Sequence, residues 1–74
     1  MEEVYLFRDV KDPNLFLSGI LEDGFPIRTV DKCKAIQYSD EEEALMALFA
    51  QEDKYGVEYS KLFDVVKFVK EVAA

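Results

Sequence analysis

Two turn signals, Lys11-Asp12-Pro13-Asn14 and Glu22-Asp23-Gly24, break the extended-looking residues 4–30 into three pieces. Pro13 presets φ for a turn position, and Asp12 or Asn14 can bond the local backbone. Asp-Gly between apolar runs is a strong short-range hairpin signal. Residues 4–10, 15–21 and 25–30 are rich in β-branched and aromatic side chains, so they read as three consecutive antiparallel strands. Pro26 falls early in the third strand, where a missing N–H is tolerated only at a strand start or on an edge.

A short extended piece, Ala35-Ile36-Gln37-Tyr38, then leads into a helix start. Ser39 and Asp40 are both competent N-caps, Glu43 stands three residues after Asp40, and Glu41, Glu42 and Glu43 favour the positive end of a helix dipole. The helix runs to Tyr55, with Gly56 expected in the left-handed position that follows a helix end. Its length is about 24 Å. Helical spacing puts Ala44, Leu45, Leu48, Phe49 and Tyr55 on one face, over the sheet, and leaves Met46, Ala47 and Ala50 on the other, which also needs cover.

Residues 60–74 carry conflicting signals. Val65, Val66, Phe68, Val69 and Val72 have strand-forming side chains. Yet Leu62, Val65, Val66, Val69, Val72 and Ala73 follow helical spacing, with Asp64, Lys67, Lys70 and Glu71 on the opposite arc and Ser60 as a usable cap. The periodicity favours a second helix, with a final strand as the alternative. The expected fold is therefore α+β: a three- to four-stranded antiparallel β-meander followed by two helices packed on one face, or βββαβ if the last segment is a strand.

A length of 74 residues limits the chain to one domain, residues 1–74, with a modest core. Half of its residues are hydrophobic, which suffices for packing. The apolar side chains nevertheless occupy both faces of the first two strands, Val4, Leu6 and Val10 against Tyr5 and Phe7, then Leu15, Leu17 and Leu21 against Phe16 and Ile20. A half-solvated antiparallel sheet alternates apolar with polar groups. The second face is accordingly expected to meet a partner, in the first instance a second copy of the chain, through Tyr5, Phe7 and Phe16.

Sixteen acidic against nine basic residues leave a net charge of −7, which opposes direct nucleic-acid binding. Acidity suits a basic partner surface instead, and carboxylates on a small rigid domain can imitate a phosphate backbone; Glu41, Glu42 and Asp53 are the candidates. With no His there is no ordinary nucleophile–base pair, so no catalytic residue is assigned and an enzyme is not expected. The single cysteine, Cys33, lies between Lys32 and Lys34, and one thiol cannot pair within the chain, which agrees with a reducing, cytoplasmic compartment. The first residues lack the basic start and apolar length of a signal peptide, and no apolar run approaches a membrane span. No metal or cofactor is expected, because the acidic clusters match no calcium loop and the three glycines stand apart.

The order of elements, residues 4–10, then Leu15-Phe16-Leu17-Ser18-Gly19, then Ala35-Ile36-Gln37-Tyr38-Ser39-Asp40-Glu41-Glu42-Glu43-Ala44, resembles small phage- and prophage-encoded proteins in which an aromatic meander leads through an acidic cap into a helix. The resemblance covers about the first fifty residues. It implies a non-enzymatic accessory protein, such as an inhibitor of a host defence or nucleic-acid-binding protein, and carries no residue roles. The expectation is thus a small acidic binding protein that occupies a surface of another macromolecule, or alternatively a structural subunit of a larger complex.

Overall fold

A computed structural model describes residues 2–70. The elements in chain order are β1 (Glu2–Asp9), β2 (Phe16–Ile20), β3 (Pro26–Thr29), α1 (Glu41–Tyr55), a single turn α2 (Tyr59–Leu62) and β4 (Phe63–Lys70). The sheet is antiparallel with order β3-β2-β1-β4, so the meander occupies one side and the chain crosses through α1 to lay β4 against the other edge of β1. The class is α+β, as the turn signals and the capped helix imply.

Local chemistry closes both turns. In the first, the Leu15 N–H donates to the Asp12 carbonyl around Pro13, and the Asp12 carboxylate accepts from the Asn14 N–H. In the second, the Gly24 N–H donates to Leu21 O at 2.9 Å and the Leu21 N–H to Phe25 O at 3.0 Å. This is a three-residue hairpin whose last member must take positive φ; Gly24 has φ 90°. Helix α1 begins on Asp40, whose carboxylate accepts from the Glu42 N–H, and ends on Gly56 at φ 70°, whose N–H returns to Glu52 O.

The last segment corrects the expectation of a second long helix. Only Tyr59–Leu62 is helical, and Phe63–Lys70 is a strand paired with β1 along its whole length, from Asp9↔Phe63 to Glu2↔Lys70. Residues 71–74 lie outside the described part of the chain. The reason is the second edge of β1. Val4 and Leu6 are buried, so their main-chain groups need partners, and β4 supplies them. Because β4 has half-covered side chains on both faces, it needs no strict apolar/polar alternation, and its valines repeat at a spacing that resembles a helix.

The 35–38 piece has a role its length does not announce. β1 and β2 register only at Arg8↔Phe16, and beyond it they diverge. The short segment fills the gap: the Ile36 N–H donates to Leu17 O, and Tyr5 and Tyr38 exchange both main-chain hydrogen bonds, at 2.7 and 3.0 Å.

The sheet therefore separates two cores. In one, Ala44 and Leu48 of α1 cluster with Phe7, Leu17, Tyr59 and Phe63, with Tyr5, Tyr38 and Val65 packed against them. On the other face lie Val4, Leu6, Phe16 and Ala35, bordered by Val66 and Phe68. The chain covers this second face itself: Ala35 packs into it, and the Lys32 ammonium sits 4.8 Å from the Phe68 ring centre and 5.7 Å from that of Phe16.

Tyr59 ties the far end together. It is fully buried, and its hydroxyl donates to Gly24 O at 2.5 Å, joining α2 to the β2–β3 turn. Burial first, then the nearby Tyr55 and Asp23, raises its pKa above the ordinary tyrosine value, so the hydroxyl keeps its proton and remains a donor. Replacing Tyr59 with phenylalanine leaves the Gly24 carbonyl without that donor and costs about 1–2 kcal/mol in urea unfolding. A raised folded-state pKa contributes stability that is intact below the unfolded value near 10 and is lost as pH rises through the folded value. The variant consequently loses part of the parent's alkaline decline.

Candidate functional site at the α1–β4 groove

The outward surface of α1 follows from which of its residues the sheet accepts. Ala44 and Leu48 are buried and Tyr55 is half-buried, so the inward stripe is narrow. Leu45 and Phe49, expected to lie over the sheet, are instead 36% and 54% exposed, and Met46 beside them is 65% exposed. These three side chains form an apolar strip along the helix. Glu41 and Glu42 stand at its N-terminal end and Asp53 at its C-terminal end, all exposed. The carboxylates are placed there by the cap at one end and by the amphipathic spacing at the other.

Beside this strip runs an open groove of about 450 Å³ between α1 and β4. Glu41, Leu45, Leu48 and Phe49 line one wall; Phe63, Val65 and Val66 line the other. One end is closed by Ser60, whose hydroxyl and N–H both donate to the Glu52 carboxylate, at 2.6 and 2.9 Å. That hydroxyl, followed by the N–H, lowers the Glu52 pKa below its ordinary value, so the pin holds across neutral and mildly acidic pH.

The sequence-based candidates divide. Glu41, Glu42 and Asp53 share α1 and face solvent around the apolar strip. Tyr5, Phe7 and Phe16 do not form a surface. Phe7 is 2% exposed within the core under α1, with Tyr5 half-buried beside it, while Phe16 is 5% exposed and belongs to the opposite core. The expectation of one partner-binding sheet face through these three rings is corrected accordingly: they sit on two faces, and the chain's own α1 and Ala35 segment cover them. The exposed large apolar side chains of α1 are instead Leu45, Met46 and Phe49. Their signal was present in a helix apolar around its middle, but Leu45 and Phe49 fall at its flank and wheel geometry assigns them inward.

Other features carry structural roles. Asp9 is buried, and its carboxylate accepts from the Lys11 and Asp12 N–H groups and from Arg28 Nε, so its oxygens are committed. A cavity of about 180 Å³ between α1 and β2, lined by Phe7, Leu17, Ile20, Tyr38 and Tyr55 with exposed Lys54 at its margin, is smaller than the usual small-molecule site. Cys33 is exposed and free, and the ammonium of its neighbour Lys32 lies over the aromatic rings. Among the described residues no group of three or more metal-ligating side chains comes together, and no helix is long and apolar enough to cross a membrane. No family model matches the chain, and neither the curated proteins nor the solved structures contain a significant match to it.

Proposed function

We propose that this protein is a non-enzymatic binding module that occupies a cationic, apolar-centred surface of another protein through α1. The observation that carries the reading is the placement of exposed Leu45, Met46 and Phe49 between Glu41 and Glu42 at one end and Asp53 at the other. An aromatic side chain desolvated at the centre supplies affinity, and surrounding carboxylates supply steering and orientation. With a net charge of −7 behind it, the same surface suits a groove that otherwise holds nucleic acid. An inhibitor of a host defence or nucleic-acid-binding protein, the role implied by the resemblance to phage accessory proteins, is one form of this function.

The test is affinity capture from the native cell with the parent and with Phe49→Glu, repeated from low to high salt. Phe49 is half out of the fold, so the substitution changes stability by at most about 1 kcal/mol. Capture by the parent should weaken with salt, and Phe49→Glu should lose at least about tenfold in affinity. A partner retained equally by both proteins removes this reading.

A second reading, an assembly subunit permanently covered by its neighbours, is favoured by another exposed group at the β2–β3 hairpin: Leu21, Phe25 and Ile27. Protein that aggregates alone and becomes soluble with one stoichiometric partner supports it over free inhibition.

A further inference from the structure

We propose that the α1–β4 groove accepts an extended, lysine- or arginine-bearing segment of the partner, which adds to the sheet as a strand beside β4. The inference rests on the binding-module reading and names its mode of recognition.

Among the described residues β4 ends the sheet, and register defines its outer edge. In β1 the main-chain groups of Tyr5 and Asp9 point toward Tyr38 and Leu15, away from β4. Tyr5, Phe7 and Asp9 face Lys67, Val65 and Phe63, so these are the non-hydrogen-bonded pairs of the ladder. It follows that Val65, Lys67 and Val69 direct their N–H and C=O groups outward, from a strand at the end of the sheet order. An exposed strand edge is a template for strand addition. Alternate side chains of an added segment would point toward Leu45, Phe49 and Val65, which line the groove beside that edge.

Charge decides between occupants. Helix α1 as a whole carries Glu41, Glu42, Glu43, Glu52 and Asp53 against one cation, Lys54, and of these Glu41 lines the groove itself. Arg8 lies opposite Asp64 and offsets it locally, so the preference for a cationic segment comes from the helix. A second copy is the alternative occupant. Two-fold pairing of β4 with itself that sets Asp64 against Lys70 also sets Lys67 against Lys67, and it brings two acidic helices side by side. A basic segment brings no second acidic helix, and Lys67, already paired with Glu3 at 3.6 Å, is avoided in a register that sets an apolar residue of the segment opposite it.

Eight-residue peptides from a randomised library, selected on the immobilised full chain, test the proposal. Enriched sequences should alternate apolar residues with Lys or Arg. Their binding should weaken with salt, slow amide exchange at Val65, Lys67 and Val69 in the parent, and drop at least tenfold in Val65→Pro. That proline removes an outward N–H and no ladder bond to β1; the exchange readout on the parent stands even if the variant unfolds. Failure to enrich any peptide, enrichment of acidic peptides, or binders that leave the three amides unprotected overturns the proposal. So does a parent that sediments as a dimer and becomes monomeric in Val65→Pro, which would give the edge to a second copy. Partners that survive Val65→Pro but are lost in Phe49→Glu remove the added strand and leave the binding-module reading standing; partners indifferent to both remove both.

Discussion

Replacing Asp9 with alanine should lower the free energy of unfolding by about 3 kcal/mol at neutral pH, a large share of the roughly 4–11 kcal/mol expected for 74 residues. Asp9 ends β1, and its carboxylate holds three donors at once: the N–H groups of Lys11 and Asp12, which shape the first turn, and Nε of Arg28 from β3. Arg28 reaches across β2 to make that contact, and its guanidinium lies 5.1 Å from the Phe63 ring centre on β4. One ion pair thus gathers the ends of three strands. Arg28 is partly exposed, so water softens the loss, which is why the figure stays at the lower end of the range for a broken buried pair.

The pH dependence has a definite sign. Burial pushes the Asp9 pKa upward, but the Lys11 N–H, Arg28 and the Asp12 N–H together outweigh it, and the net shift is downward. A depressed carboxylate contributes stability above the unfolded value near 4 and loses it as pH falls through the lower folded value. Asp9→Asn should therefore be less stable than the parent at neutral pH, and the gap should narrow progressively below about pH 4. Glu52 shifts in the same direction, so the variant retains some acid sensitivity. Urea unfolding of both proteins across this range checks the prediction, and parallel curves would remove the Asp9 assignment.

The second large effect separates two glycines that look alike in sequence. Gly24→Ala should cost about 3 kcal/mol, and Gly56→Ala about 1 kcal/mol. Both residues have positive φ, 90° and 70°. At Gly56 an added Cβ meets nothing within 4 Å, so only the backbone preference is lost. At Gly24 it would lie 3.2 Å from Tyr55 Cβ and 3.3 Å from the Tyr59 hydroxyl. Relieving that crowding displaces the hydroxyl bonded to the Gly24 carbonyl. The losses from Gly24→Ala and Tyr59→Phe should consequently be less than additive in the double variant, because they remove the same contact. Equal losses at the two glycines would show that Tyr59 does not hold this turn.

Elements specified by neighbouring residues were legible in the chain. Pro13 with its flanking Asp12 and Asn14, Asp23-Gly24, the Asp40 cap and the Gly56 stop each act over a few residues, and each stands where its chemistry requires. The acidity of α1 was legible for the same reason. The last segment was misread because its valines satisfy helical and strand spacing together, and the unpaired edge of β1 decides between them. The surface proposed for binding was half legible: Glu41, Glu42 and Asp53 stand out in the sequence as exposed carboxylates of α1, whereas the exposure of Leu45 and Phe49 beside them does not.

Turn chemistry, capping and hydrophobic content follow from residues close in sequence, and they determined an acidic α+β domain with a three-strand meander and one capped helix. Pairing of β4 with β1, insertion of the 35–38 piece between β1 and β2, and closure of the second face by Ala35 and Lys32 join residues distant in the chain. They depend on which buried main-chain groups lack partners and which apolar faces lack cover. Both are properties of the assembled sheet, and no local pattern encodes them.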